Sequence, residues 1–231
     1  MEQQRDNREF NFEILKQISF FKFFGSNEWT LLEPNICVYK FTANDNILVE
    51  GDRCAEKQGI FIVSKGSVSV SKTSISGRDY NVRVLKQGEV FVNPGMFDNG
   101  PSPATLKAIE ETCIFYLARN VILPIISSNN KVSESMYLII AEIIRSAISV
   151  IDELAFKDNY SRLASFLLNV SKKEIINRNQ FSLQFISNCI NTVPEVVSRA
   201  LKKLADDGFI EITRTKLIII DREGLQNIAL E

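Results

Sequence analysis

The stretch MYLIIAEIIRSAISVIDEL, residues 136–154, constrains the fold of this chain more than any other. Within it Tyr137, Ile140, Ile144, Ala147, Ile151 and Leu154 recur at alternating spacings of three and four, which lines one side of a helix with a continuous apolar seam. Such a seam needs another helix against it, and a second copy of the chain supplies one. A second apolar row, Ile139, Ile143 and Val150, falls on the neighbouring face and is expected to pack on the β-barrel that precedes the helix. The same few heptads also fit a helix buried inside a monomer, so homodimer and monomer both stand as readings of the pattern alone.

On either side of the seam the period changes. From about residue 36 to 118, CVYKFTANDNILVEGD, QGIFIVSKGSVSVSKTSISGRDYNVRVL, GEVFVNPGMF and ATLKAIEETCIFYLA are short β-rich pieces separated by Gly, Asn, Asp and Ser. Many short strands with regular turns predict a sandwich or a jelly-roll barrel, with a hairpin turning at Ser76-Gly77. Ahead of it, FNFEILKQISFFKFFGSNEWTLLEP reads as one or two short amphipathic helices, stopped and restarted at Gly25 and Ser26. Beyond the seam come NYSRLASFLLNVSKKEII, SLQFISNCI, PEVVSRALKKLADD and the hairpin-like GFIEITRTKLIIID. Three compact helices and a two-stranded ribbon make a winged helix-turn-helix. The expected organisation is therefore α+β: a β-barrel over residues 1–130, a long helix over 131–156 and a winged helix-turn-helix over 157–231.

The last module carries the most specific local chemistry. Ser182 is an expected N-cap for a helix striped by Phe185, Ile186, Cys189 and Ile190, and Asn191 suits the tight bend that follows. Thr192 with Glu195 three residues on fits a capping box, Pro194 is tolerated in the first turn, and Gly208 stops the helix. With Val197, Leu201 and Leu204 on one face, Glu195, Ser198, Arg199 and Lys202 point outward together. Arg pairs with guanine in a major groove, Glu accepts from the cytosine amino group, and Ser meets a base or phosphate. Arg199, Lys202, Lys203, Arg214 and Lys216 cluster on this helix and the hairpin tip, the elements that approach phosphates in the motif. An ordinary solvated face is the competing reading, because residues 158–231 hold ten Lys/Arg against nine Asp/Glu.

Composition removes other classes. At 231 residues the chain has room for two modules, and 45% apolar with 24% charged residues is the balance of a soluble globular protein. No apolar run reaches membrane-spanning length and the N-terminus MEQQRDNREF is polar, so a cytoplasmic location is expected. The chain contains no histidine, and Cys37, Cys54, Cys113 and Cys189 are widely spaced. Zinc sites, His-based acid–base catalysis and His-ligated haem all want a residue type that is missing. A cupin-like enzyme is disfavoured for the same reason, and no metal, catalytic or cofactor site is expected.

With barrel, seam helix and helix-turn-helix in this order, residues 30–220 resemble the Crp/Fnr family of bacterial transcription regulators. ILVEGD and FIVSKGSVSV, with Gly51 and Gly66, are similar to the family's paired barrel strands, and VLKQGEVF to the strand that introduces its effector pocket. ELAFKDNYSRLASFLLNV resembles the hinge after the dimer helix, and EVVSRALKKLADDGFIE the recognition helix and its exit. The resemblance implies a cyclic-nucleotide-binding-like jelly roll, a homodimer, a recognition helix over 193–207, and double-stranded DNA and RNA polymerase as partners. Glu195, Ser198 and Arg199 match the E-x-x-S-R pattern of the branch that reads TTGA-type half-sites.

The departures bear on the effector. Members that bind cyclic AMP place a Glu for the ribose and an Arg for the cyclic phosphate, where this chain has Asn93 and Pro103. No cysteine precedes Cys37 to form the iron–sulphur cluster of the oxygen sensors. The residues expected around an apolar effector cavity are Phe91, Val92, Asn93 and Met96 from the barrel, Ala104 and Thr105 from the loop, and Ile144, Ala147 and Ile148 from the helix. Two branches follow: a small, weakly polar effector, or a filled core with control by abundance. A sensor or protein-interaction module that has lost DNA reading is the alternative function.

Overall fold

The computed structural model of the protein describes residues 13–75, 77, 79–171, 175–178 and 181–230. Ser76 of the expected hairpin turn lies outside them, while Gly77 has φ +77°. The chain divides into two units, Met1–Lys72 with Arg83–Arg145, and Thr73–Val82 with Ser146–Glu231.

The first unit opens with α1 (Glu13–Lys16) and α2 (Ser26–Leu32), followed by β1 (Cys37–Phe41), β2 (Asn46–Leu48), β3 (Gly59–Lys65), β4 (Ser67–Thr73), β5 (Asp79–Lys86) and β6 (Val90–Val92). It continues with α3 (Gly95–Asp98), β7 (Thr105–Ala108), β8 (Thr112–Ala118), α4 (Arg119–Ser128) and the long α5 (Asn130–Phe156); β5 up to Val82 and α5 from Ser146 on count with the second unit. Two four-stranded sheets form, in the orders β1-β8-β3-β6 and β2-β7-β4-β5, which is the strand order of a jelly roll. The β3–β4 connection is a single residue, Gly66, at φ +85°, and a Cβ there would lie 2.6 Å from the carbonyl oxygen of Glu111.

The β1-β8-β3-β6 sheet is buried on both faces. Tyr39, Phe41, Phe61, Val63, Ile114 and Tyr116 fill the jelly-roll interior with Val68, Val70, Leu85 and Leu106 of the facing sheet. The alternate residues Val38, Ile60, Ile62, Cys113, Phe115 and Leu117 point the other way, into a second core with Phe20, Phe21, Phe24, Ile122, Val132 and Met136. Period-two alternation explains why these strands read as unbroken apolar runs. The second core also sets the register of α5, since Val132, Ser135, Met136 and Ile139, spaced three, one and three apart, are its buried residues. Of the second apolar row, Ile139 packs here, whereas Ile143 is exposed.

The second unit holds α6 (Asn159–Val170), β9 (Ile175–Asn177), α7 (Leu183–Cys189), α8 (Pro194–Asp206), β10 (Ile210–Ile212), β11 (Lys216–Ile219) and α9 (Arg222–Leu230). Its core joins Leu163, Leu167, Ile176, Ile186, Val197, Leu201, Leu204, Leu217 and Leu225. The wing has three strands, ordered β10-β11-β9, where the sequence suggested two. Ile175 and Ile176, at the end of the run expected to be helical, pair with Ile218 and Leu217 of β11, and Ile176 enters the core that way. The closing helix α9, which the sequence reading did not anticipate, buries Leu225 and Ala229.

Candidate nucleic-acid interface

The turn between α7 and α8 forms as its residue types predict. Ser182 Oγ accepts from the Phe185 backbone N–H at 3.1 Å and so caps α7. Asn191 takes the left-handed conformation, with φ +51°, and Gly208 at φ +83° ends the region after α8. The start of α8 differs from expectation. Its N-cap is Val193, extended at φ −113° and ψ 153°, Pro194 occupies the first helical position, and no side-chain cap bond forms. A proline's ring holds the residue before it in extended conformation, so the helix boundary falls at Val193 and the Thr192–Glu195 capping box is not made.

Glu195 is thereby released from capping. On α8, Val197, Leu201 and Leu204 are buried, while Glu195, Ser198, Arg199 and Lys202 are all exposed. Among the described residues none of these four side chains is engaged in a hydrogen bond or an ion pair. Lys203 is used differently: its Nζ lies 4.3 Å from the centre of the Tyr160 ring.

The other two predicted contacts, Arg214 and Lys216, lie at the exposed β10–β11 turn, which follows α8 through Gly208. Thr213 shapes that turn: its N–H and hydroxyl donate to the Lys216 carbonyl at 2.9 and 3.0 Å. Arg178, which the sequence reading passed over, holds the turn from beneath. Its guanidinium donates to the Thr213 carbonyl at 2.7 Å and its backbone N–H to Thr215 at 2.9 Å. The strand pattern of IIN just before it was the signal that the arginine borders a sheet.

The residues expected around an effector cavity are divided between two cores. Phe91 and Ala104 belong to the jelly-roll interior, whereas Val92 and Met96 belong to the core beneath the helices. Successive strand residues face opposite sides of a sheet, so Phe91 and Val92 do not line one space. Thr105 Oγ1 accepts from the Glu50 backbone N–H at 3.0 Å. Ile144, Ala147 and Ile148 lie on an exposed part of α5, beyond the turn that packs on the core. The interior itself is occupied by rings: Phe61 stands 4.8 Å from Tyr116 and 6.3 Å from Phe91, centre to centre, and Tyr39 stands 6.1 Å from Tyr116. Tyr116 donates its hydroxyl to the Gln58 carbonyl at 3.0 Å, and burial pushes its phenol well above the ordinary range.

Asn93 and Pro103 are both built into the frame. Asn93 is 1% exposed; its Nδ2 donates to the Lys57 carbonyl at 3.0 Å and its Oδ1 accepts from the Gly95 N–H at 3.2 Å. The Pro103 carbonyl accepts from Lys72 Nζ at 2.8 Å, and Lys72 also pairs with Glu50. Of the seam residues, Tyr137, Ile144 and Ile151 are 67, 54 and 63% exposed, Ala147 and Leu154 are exposed too, and Ile140 is half-buried against the second core.

Two family models match the chain, the cyclic nucleotide-binding domain over residues 38–129 and the Crp-like helix-turn-helix domain over residues 161–228. The chain is 26% identical over 172 residues to the cyclic AMP receptor protein of Thermus thermophilus, covering 74% of this chain and 80% of that one. A CRP-like cAMP-activated global transcriptional regulator of Mycobacterium tuberculosis is 20% identical over 220 residues, covering 92% and 97% of the two chains. Among solved structures, FixK2 from Bradyrhizobium japonicum superposes with a TM-score of 0.73 at 22% identity, covering 84% of this chain and 96% of that one. The jelly roll, the long helix and the winged helix-turn-helix follow one another here in the order in which the two models match, and the chain belongs to the Crp/Fnr family of DNA-binding transcription regulators.

Proposed function

We propose that this regulator works as a homodimer in which α8 of each protomer reads a TTGA-like half-site. The observation that carries the reading is the exposed row of Glu195, Ser198, Arg199 and Lys202, with none of its polar groups committed elsewhere among the described residues. Exposed polar groups on the second helix of this motif meet base edges, and Arg214 and Lys216 on the wing turn meet phosphates. The exposed seam of α5, Tyr137, Ile144, Ala147, Ile151 and Leu154, supports the dimer, because so long an apolar stripe on one helix asks for cover. RNA polymerase is the further partner that such a regulator addresses from its promoter.

For control, the packing supports the branch without a ligand inside the jelly roll. Aromatic rings take up the interior, and the two positions that the resemblance sets against the ribose and cyclic-phosphate contacts of cyclic-AMP-binding members hold a buried asparagine, bonded through both its amide nitrogen and oxygen, and a proline. A mobility-shift titration tests the DNA reading. A palindrome of TTGA-like half-sites is expected to bind with an affinity that falls steeply as salt rises, and weak binding indifferent to sequence would count against it.

A further inference from the structure

The recognition helix ends against its own dipole. Asp206 and Asp207 stand at the C-terminal end of α8, beside Lys203 in its last turn; the unpaired carbonyls there concentrate negative charge, which suits the lysine but not the two aspartates. Departures from a local rule of this kind mark places where something other than helix stability is served. Both compensating contacts come from the first turn of α6. Tyr160 Oη donates to Asp207 Oδ2 at 2.9 Å, and the Lys203 ammonium sits over the Tyr160 ring at 4.3 Å. Tyr160 is itself held in place, because Asp158 Oδ1 accepts from the backbone N–H groups of Tyr160 and Ser161 at 2.9 and 2.8 Å. Burial, then the bond to Asp207, pushes the phenol up to about 12, so the hydroxyl stays a donor at neutral pH. Phe156 ends α5 and Asp158 caps α6, which puts Tyr160 within four residues of the end of α5.

We propose that Tyr160 is a positioning residue for DNA reading, a clamp that fixes the C-terminal end of α8 to the start of α6 so that Glu195, Ser198 and Arg199 at the other end meet bases in register. The inference rests on the DNA-reading function above. A helix of thirteen residues is about 20 Å long, so a tilt of about 5° at the clamp moves the reading end by about 2 Å. Base recognition tolerates far less than that.

The test uses the full chain and two probes, a duplex selected from a random pool by the wild-type protein and a scrambled duplex of the same composition. Tyr160→Phe keeps the ring and loses the hydroxyl; Asp207→Ala loses the acceptor. Each is expected to weaken binding to the selected duplex about threefold to tenfold, the worth of one hydrogen bond. The double variant is expected to be no weaker than the worse single one, with scrambled-duplex binding and the circular dichroism spectrum unchanged throughout. Asp207→Asn, which retains an acceptor, is expected to bind as wild type. Additive losses in the double variant, an equal fall on the scrambled duplex, or no loss with Tyr160→Phe would overturn the clamp. A pool from which the wild-type chain selects no sequence would overturn the DNA reading itself, and the clamp's role with it.

Discussion

Glu195 and Arg199 stand one helical turn apart on the exposed face of α8 and, among the described residues, form no ion pair with each other. A glutamate four residues before an arginine is the favourable orientation for such a pair, worth only about 0.2–0.5 kcal/mol on an exposed helix. A bidentate contact to a base is worth several times more, so on the proposed reading the two unpaired side chains give up little on meeting DNA.

Arg199→Ala is accordingly expected to cost about 1–3 kcal/mol of discrimination at its base pair. Fluorescence anisotropy on matched and mismatched half-sites measures it, and sedimentation velocity is expected to show an unchanged assembly state. Lys202→Ala should instead weaken binding to both duplexes alike and reduce the salt slope by about one.

Ile144→Asp and Ile151→Asp test the seam. Both side chains are more than half exposed in the single chain, so the fold should tolerate the change, with thermal midpoints close to wild type. In a dimer each substitution buries a carboxylate at the seam twice over, and sedimentation equilibrium should find the variants monomeric where wild type is dimeric. A wild-type chain that is monomeric at every concentration would retire the dimer.

Asp158 caps α6 through the Tyr160 and Ser161 N–H groups, and removing it as Asp158→Ala is expected to cost about 1 kcal/mol in urea titrations. The Ser161 N–H, first among the causes, holds this carboxyl below its ordinary range. Its stabilising contribution is thus complete above the unfolded-state value, and is lost as pH falls through the depressed folded value. Glu28, lowered by its bonds to Asn129 and the Gly25 N–H, behaves with the same sign at the start of α2. Asp158→Ala should therefore flatten the acid limb of the stability profile, and Glu28→Gln should do the same.

Asn93→Leu removes two bonds from a buried site and leaves the Lys57 carbonyl and Gly95 N–H unpaired, at an expected cost of about 1–3 kcal/mol each in thermal or urea unfolding. Calorimetric titration of the wild-type chain with cyclic AMP is expected to show no binding heat. Saturable binding would show that groups other than Asn93 and Pro103 hold the nucleotide.

Much of this architecture was legible before any coordinates. Strand-sized apolar runs with polar turns predicted the jelly roll, and Ser182, Asn191 and Gly208 marked the helix-turn-helix, because capping and positive φ are demands that few side chains meet. The exposed face of α8 was legible for a related reason: Val197, Leu201 and Leu204 define one side of a helix, and the opposite side follows from a period of 3.6 residues. The site was less legible at its edges. Thr192 and Glu195 match a capping box in spacing, yet Pro194 shifts the boundary to Val193, a competition between two local rules that the residue string does not rank. Ile175 and Ile176 suit a helix end and a strand equally, and pairing with β11 decided for the strand.

The residues by themselves thus determined element type, the two modules and the outward face of α8, all of which depend on near neighbours in the chain. Tertiary structure decided what depends on distant partners. It placed Phe91 and Val92 in separate cores, because the facing β2-β7-β4-β5 sheet and the covering helices pack on opposite faces of one sheet. It also joined Tyr160 to Asp207, 47 residues apart, because α6 and α8 share a core that no local pattern records.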